Sequence, residues 1–179
     1  MRTFVAAEIN NEDVLSSIKK FQSDLEIKAK PVAANNIHFT LLFLGEISES
    51  MSEKVQDALN SIEFEEFTVS FQGIGAFPKP SFPRVIWVGT DQNGGEFLKK
   101  LALQVENALS PLGFRGDKPF RPHVTIFRIK NKIGNISDKL KERGSIKFGS
   151  QKISEIKFKQ SVLTPDGPNY SDLQVIKAK

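Results

Sequence analysis

Apolar residues recur along this chain in two alternating periods, one suited to strands and one to helices. Arg2 to Ile9 reads as an opening strand, apolar through its middle. Asn10 and Asn11 can cap a helix, with Glu12 and Asp13 in its first turn, where the dipole favours acids. Val14, Ile18, Phe21 and Leu25 then step by one face of an amphipathic helix, which Pro31 is expected to end. Phe39 to Leu44 is continuously apolar, a strand buried on at least one face and closed by Gly45. Ser50 and Glu53 have capping-box spacing ahead of a second helix striped by Val55, Ala58, Leu59 and Ile62.

A hairpin-like pair follows, Phe67 to Gly75 and Arg84 to Thr90. Its connection, Ala76 to Pro83, holds three prolines and predicts an irregular, semi-rigid loop; Phe77, Phe82 and Lys79 there could wall a substrate base. Asn93, Gly94 and Gly95 are expected to break the chain before a third helix. That helix carries Phe97, Leu98, Leu101, Ala102, Val105, Ala108, Leu109 and Leu112 on one broad face, and Pro111 and Gly113 end it. Arg115 to Pro122 leads extended into a strand that runs to about Ile129. A short helix over Ser137 to Arg143 precedes alternating segments at Lys147 to Leu163 and Tyr170 to Ile176, hinged on Thr164 to Pro168. Strands that alternate with helices but also pair as hairpins indicate α+β rather than a doubly wound parallel sheet.

Composition narrows the chemistry. The 179 residues fit one domain of two lobes, with no linker or low-complexity segment. There is no cysteine, which removes disulfides, thiolate metal sites and a thiol nucleophile. Two histidines exclude a multi-histidine metal centre, and no carboxylate cluster suggests a two-metal site, so no metal or cofactor is expected. No apolar run approaches a membrane span and no leader is evident, so a cytoplasmic protein without membrane contact is expected. A net charge of +4 leans mildly toward an anionic partner.

Both histidines open the same pattern, His38-Phe39-Thr40-Leu41 and His123-Val124-Thr125-Ile126, 85 positions apart. With six threonines in the chain, chance would place Thr two after both histidines roughly once in a thousand. On a strand, residues two apart emerge on one face, so each segment can bury Phe39 or Val124 and present an imidazole beside a hydroxyl. The repeat suggests a duplicated half-domain with one motif per half, facing across a cleft. One imidazole can then act as base and the other as acid near neutral pH, with the hydroxyls donating to whatever lies between. In-line displacement at a phosphodiester requires this arrangement, and needs no metal if the leaving oxygen is protonated.

The paired motifs resemble the signature of the two-histidine (2H) phosphoesterase superfamily. MRTFVAAEI at the start, Asn36 to Gly45, Gly73 to Pro78, Leu112 to Phe114, Phe120 to His123 and Ser161 to Pro165 are further similar, in order, to its RNA 2′,3′-cyclic phosphodiesterases, also called 2′-5′ RNA ligases. The resemblance implies a bilobal α+β fold with pseudo-two-fold symmetry, mainly antiparallel sheets backed by helices, and an active cleft between lobes. It implies opening of a terminal 2′,3′-cyclic phosphate of RNA, tRNA fragments included, to a 2′-phosphate. By the same resemblance His38 is the proton donor, His123 the proton acceptor, and Thr40, Thr125 and Arg128 bind phosphate. Strict alternation would turn Arg128 away from His123, so it reaches phosphate only through twist, a bulge or its length.

Lys118, Arg121 and Lys130 flank the second motif and are candidates to hold the RNA strand. A monomer is expected, since no segment marks an oligomer interface. Rival readings are 2′-5′ ligation, action on a small cyclic nucleotide, and a non-catalytic module that binds RNA ends.

Overall fold

A computed structural model describes all of residues 1–179. The strands are β1 (Arg2–Glu8), β2 (Lys30–Pro31), β3 (His38–Glu46), β4 (Phe67–Lys79), β5 (Phe82–Thr90), β6 (Val124–Arg128), β7 (Lys147–Ile153), β8 (Glu155–Thr164) and β9 (Gly167–Lys177). The helices are α1 (Glu12–Asp24), α2 (Glu49–Leu59), α3 (Gln92–Leu109) and α4 (Ser137–Glu142). The strands form two sheets, ordered β3-β1-β8-β9 and β2-β6-β5-β4-β7, antiparallel throughout. The α+β class and two lobes expected from sequence are both present.

The lobes are not the two halves of the sequence. The first sheet takes its strands from both ends of the chain and the second takes the middle. This interlacing lets the two motif strands, β3 and β6, approach each other where the sheets meet. Behind them the buried faces close a shared core, in which Phe39 of β3 stacks on Phe71 of β4 with ring centroids 5.6 Å apart. No helix is long and apolar enough to cross a membrane.

Several boundaries move from their expected places, each for a local reason. Helix α1 ends at Asp24, well before Pro31, and the proline instead sits in the short strand β2. The α2 cap is Ser48, whose hydroxyl accepts from the Met51 N–H, rather than Ser50. Gly94 and Gly95 lie inside the first turn of α3 instead of breaking the chain before it. A Cβ on Gly94 would meet the capping Asp91 carboxylate at 2.4 Å and the Val69 backbone at 3.0 Å, so these glycines permit close helix-to-sheet packing. Phe97 falls off the buried face and lies 48% exposed, stacked on Phe67.

The expected proline loop is the tip of a hairpin. β4 and β5 continue past Pro78 and Pro83, which face each other at a register shift where neither needs to donate to the ladder. The segment from Lys147 to Leu163 is two strands, and the chain changes sheet at Ser154, between β7 and β8.

Candidate active site

Each histidine is fixed in the same way by its own backbone. His38 Nδ1 lies 2.8 Å from the Asn36 carbonyl and His123 Nδ1 lies 2.6 Å from the Arg121 carbonyl, in both cases two residues upstream. A carbonyl can only accept, which assigns the proton to Nδ1 and leaves each Nε2 free to gain or lose one. In the neutral ring Thr40 donates its hydroxyl to His38 Nε2 at 3.0 Å.

Aromatic residues hold both rings. His38 stacks on Phe4 at 5.1 Å and meets the edge of Tyr170 at 5.5 Å. His123 meets Phe77 at 5.1 Å and Trp87 at 6.3 Å, both steeply inclined. Trp87 lies flat across Gly75 of the neighbouring strand; a Cβ there would come within 2.2 Å of the indole. Of the two phenylalanines expected to wall a base, Phe77 reaches the motif. Phe82 sits at the hairpin tip under Arg84.

The same irregularity interrupts both motif strands. In β3, Thr40 pairs with Ala6 and Leu42 with Val5, leaving Leu41 unpaired. In β6, Thr125 pairs with Trp87 and Phe127 with Ile86, leaving Ile126 unpaired. Each extra residue lies three after its histidine. It reverses the alternation, so Ile126 and Phe127 are both buried and Arg128 emerges exposed on the His123 face. The position that strict alternation would deny to Arg128 is thus restored by a bulge. Its counterpart in the first motif is Phe43, with the Arg2 guanidinium 5.2 Å above its ring.

The Arg128 charge acts on both imidazoles, though less than burial does. Burial lowers the His38 pKa from 6.5 to about 4; the Asn36 carbonyl opposes this, Lys159 and Arg128 add to it, and Glu8 opposes it. Burial also lowers His123, against the pull of the Arg121 carbonyl, and the Arg121 and Arg128 charges push the same way. Tyr170 is raised by burial, with Arg128, Lys159 and Arg2 opposing. At neutral pH the cleft is therefore lined by arginine charge around two neutral imidazoles.

Beneath His38 lies an ion network that motif reading missed. Lys157 contacts Glu8 at 3.1 Å and Asp172 at 2.9 Å, while the buried Lys159 contacts Glu8 and lies 2.7 Å from Asp172. Alternating Lys157 and Lys159 on β8 could have signalled a polar face, but not that Lys159 would be buried beside a histidine. Of the basic residues near the second motif, Arg121 reaches the site, its guanidinium 5.8 Å from the Phe77 ring. Lys118 and Lys130 are exposed.

Comparison with known proteins points to one family. A model of the family described as LigT-like phosphoesterase matches the chain twice, over residues 9–87 and 88–170. The chain is 39% identical over 180 residues to an RNA 2′,3′-cyclic phosphodiesterase of Archaeoglobus fulgidus, covering 99% of this chain and all of the relative. It is 41% identical over 155 residues to a protein of the same name from Aeropyrum pernix, covering 85% and 88% of the two chains. A crystal structure of a Thermus thermophilus protein superposes with a TM-score of 0.80 at 28% identity, over 99% of this chain and 97% of that one.

Proposed function

The chain belongs to the LigT-like phosphoesterase family, and from that premise we propose that it opens the terminal 2′,3′-cyclic phosphate of RNA to a 2′-phosphate. The observation that carries this reading is the pair of like-built imidazoles with an arginine charge felt by both. Membership of an enzyme family sets aside a module that only binds RNA ends, and the names of the relatives support RNA as substrate.

In the proposed mechanism His123 Nε2 takes a proton from water as its oxygen attacks phosphorus. The phosphorus bond to O3′ breaks, and His38 Nε2 delivers a proton to that oxygen, leaving a 3′-hydroxyl and a 2′-phosphate. Arg128, Thr40 and Thr125 hold the non-bridging oxygens as charge builds on them. His38 is neutral in the free protein and must gain a proton before it can act as the acid. The bound phosphate anion favours this, because it offsets the Arg128 and Lys159 charges that oppose it. Once Nε2 is protonated it no longer accepts from Thr40, whose hydroxyl hydrogen turns to a phosphate oxygen. Substrate binding, His38 protonation and Thr40 donation are in this way one coupled event.

We infer that no metal takes part, because no three histidine, aspartate or glutamate side chains converge to hold one and the Arg128 charge acting on both imidazoles opposes a divalent cation. The test is a short RNA ending in a 2′,3′-cyclic phosphate, incubated with the protein in EDTA, with the product phosphate identified by mass and by NMR. A 2′-phosphate is expected. A 3′-phosphate, or an end left closed, would overturn the proposal.

A further inference from the structure

We propose that Gln22, on helix α1 and absent from either motif, is a positioning residue for Arg128: its amide clamps the β6 bulge that turns the guanidinium into the cleft. Gln22 Nε2 donates to the Ile126 carbonyl at 2.9 Å and to the Val32 carbonyl at 3.1 Å. Ile126 is the unpaired residue of that bulge, and its carbonyl also accepts from the Val32 N–H at 2.9 Å. The Gln22 amide therefore ties the bulge to the point where β2 leaves β6.

A clamp is needed there because β2 is a poor neighbour. It is two residues long, and its ladder to β6 ends at the Val32 N–H bonded to the Ile126 carbonyl. A bulge flanked by so short a ladder is held weakly by its own strand, and a bulge that relaxes loses the parity that points Arg128 toward His123. Helix α1 is a firm base for the clamp, since Val14, Ile18 and Phe21 are buried and Phe21 packs edge-on to Phe148 of β7 at 5.6 Å. The proposed route runs from Gln22 through Ile126 to Arg128, and the catalytic part of the inference rests on the phosphodiesterase reading.

The two imidazoles report on Arg128, because its charge acts on both; His38 also faces Lys159 and Glu8, and His123 also faces Arg121. Gln22 is uncharged and hydrogen-bonds to neither ring. With only two histidines in the chain, both ring signals can be assigned and titrated by NMR without substrate. Gln22→Met should raise both midpoints by about half a pH unit as the guanidinium moves off, and should leave them unmoved in an Arg128→Met background. On the cyclic-phosphate RNA, Gln22→Met should lower kcat/KM about ten- to a hundredfold, with no further loss in the Arg128→Met background. If Gln22→Met does not fold, Gln22→Asn, too short to span both carbonyls, is read in the same way. Unmoved midpoints in a folded variant, or an equal loss in both backgrounds, would overturn the proposal. The titration needs no turnover, so failure of the phosphodiesterase reading would show as an inactive wild type while the clamp is still tested.

Discussion

Burial of a neutral His38 makes a quantitative prediction about stability. An unfolded histidine titrates near 6.5, whereas His38 in the fold titrates near 4. As pH falls below 6.5 the unfolded chain takes up a proton that the folded protein refuses, so stability falls between 6.5 and about 4 and then levels off. At about 1.36 kcal/mol per pH unit, the whole window is worth about 3 kcal/mol, of which about 2.5 should be gone by pH 4.5. That is a large share of the roughly 5–15 kcal/mol that holds an ordinary domain together. The assay is urea unfolding at half-unit steps from pH 7.5 to 4.5, on the wild type and on His38→Gln. The variant lacks the titrating group but keeps a polar side chain, so carboxylates and His123 contribute alike to both curves. The wild type should lose about 2.5 kcal/mol more than the variant over that range. Saturating phosphate should shrink the difference, since an anion in the cleft stabilises the charged ring. Parallel curves for the two proteins would refute the claim that the fold holds His38 neutral.

Other expectations concern turnover. His38→Ala and His123→Ala should each reduce kcat at least about a hundredfold with circular dichroism unchanged; near-normal turnover in either would remove that histidine from the chemistry. Arg128→Lys should lower kcat/KM on a cyclic mononucleotide and on a ten-nucleotide RNA alike, because the ammonium cannot reproduce a planar two-oxygen contact. Wild-type activity of the variant on both substrates would leave that arginine without a phosphate role. The alkaline limb of kcat should lie at higher pH than that of kcat/KM, because bound phosphate raises His38 above its value in the free protein; coincident limbs would contradict the coupling of binding to protonation.

The sequence carried the chemistry more openly than the scaffolding. Two histidines with matched threonines were visible because strand alternation is strict over three residues. Helical periodicity likewise made Val14, Ile18, Phe21 and Leu25 recognisable as one buried helix face, and all four are buried. Arg128 was harder to place, because a bulge is a local exchange of hydrogen bonds rather than a change in apolar pattern. The carbonyl of its extra residue, Ile126, accepts from Gln22 and Val32, which lie about a hundred residues upstream. The lobes were misassigned to sequence halves for a related reason: pairing partners such as β1 and β8 are fixed by tertiary fit, which periodicity does not encode. Glu8, Lys157, Lys159 and Asp172 each looked like ordinary surface charges, and only their convergence beneath His38 gives them a role there.

The division of labour between the two histidines is the central claim, and a change of leaving atom tests it most directly. An RNA cyclic phosphate with sulfur in place of O3′ expels a thiolate, which departs without needing a proton. On that substrate His38→Ala should recover most of the lost rate, because its acid is no longer required, while His123→Ala should stay impaired for want of a base to activate water. Recovery by His123→Ala instead, or by neither variant, would contradict the assignment of His38 as acid and His123 as base.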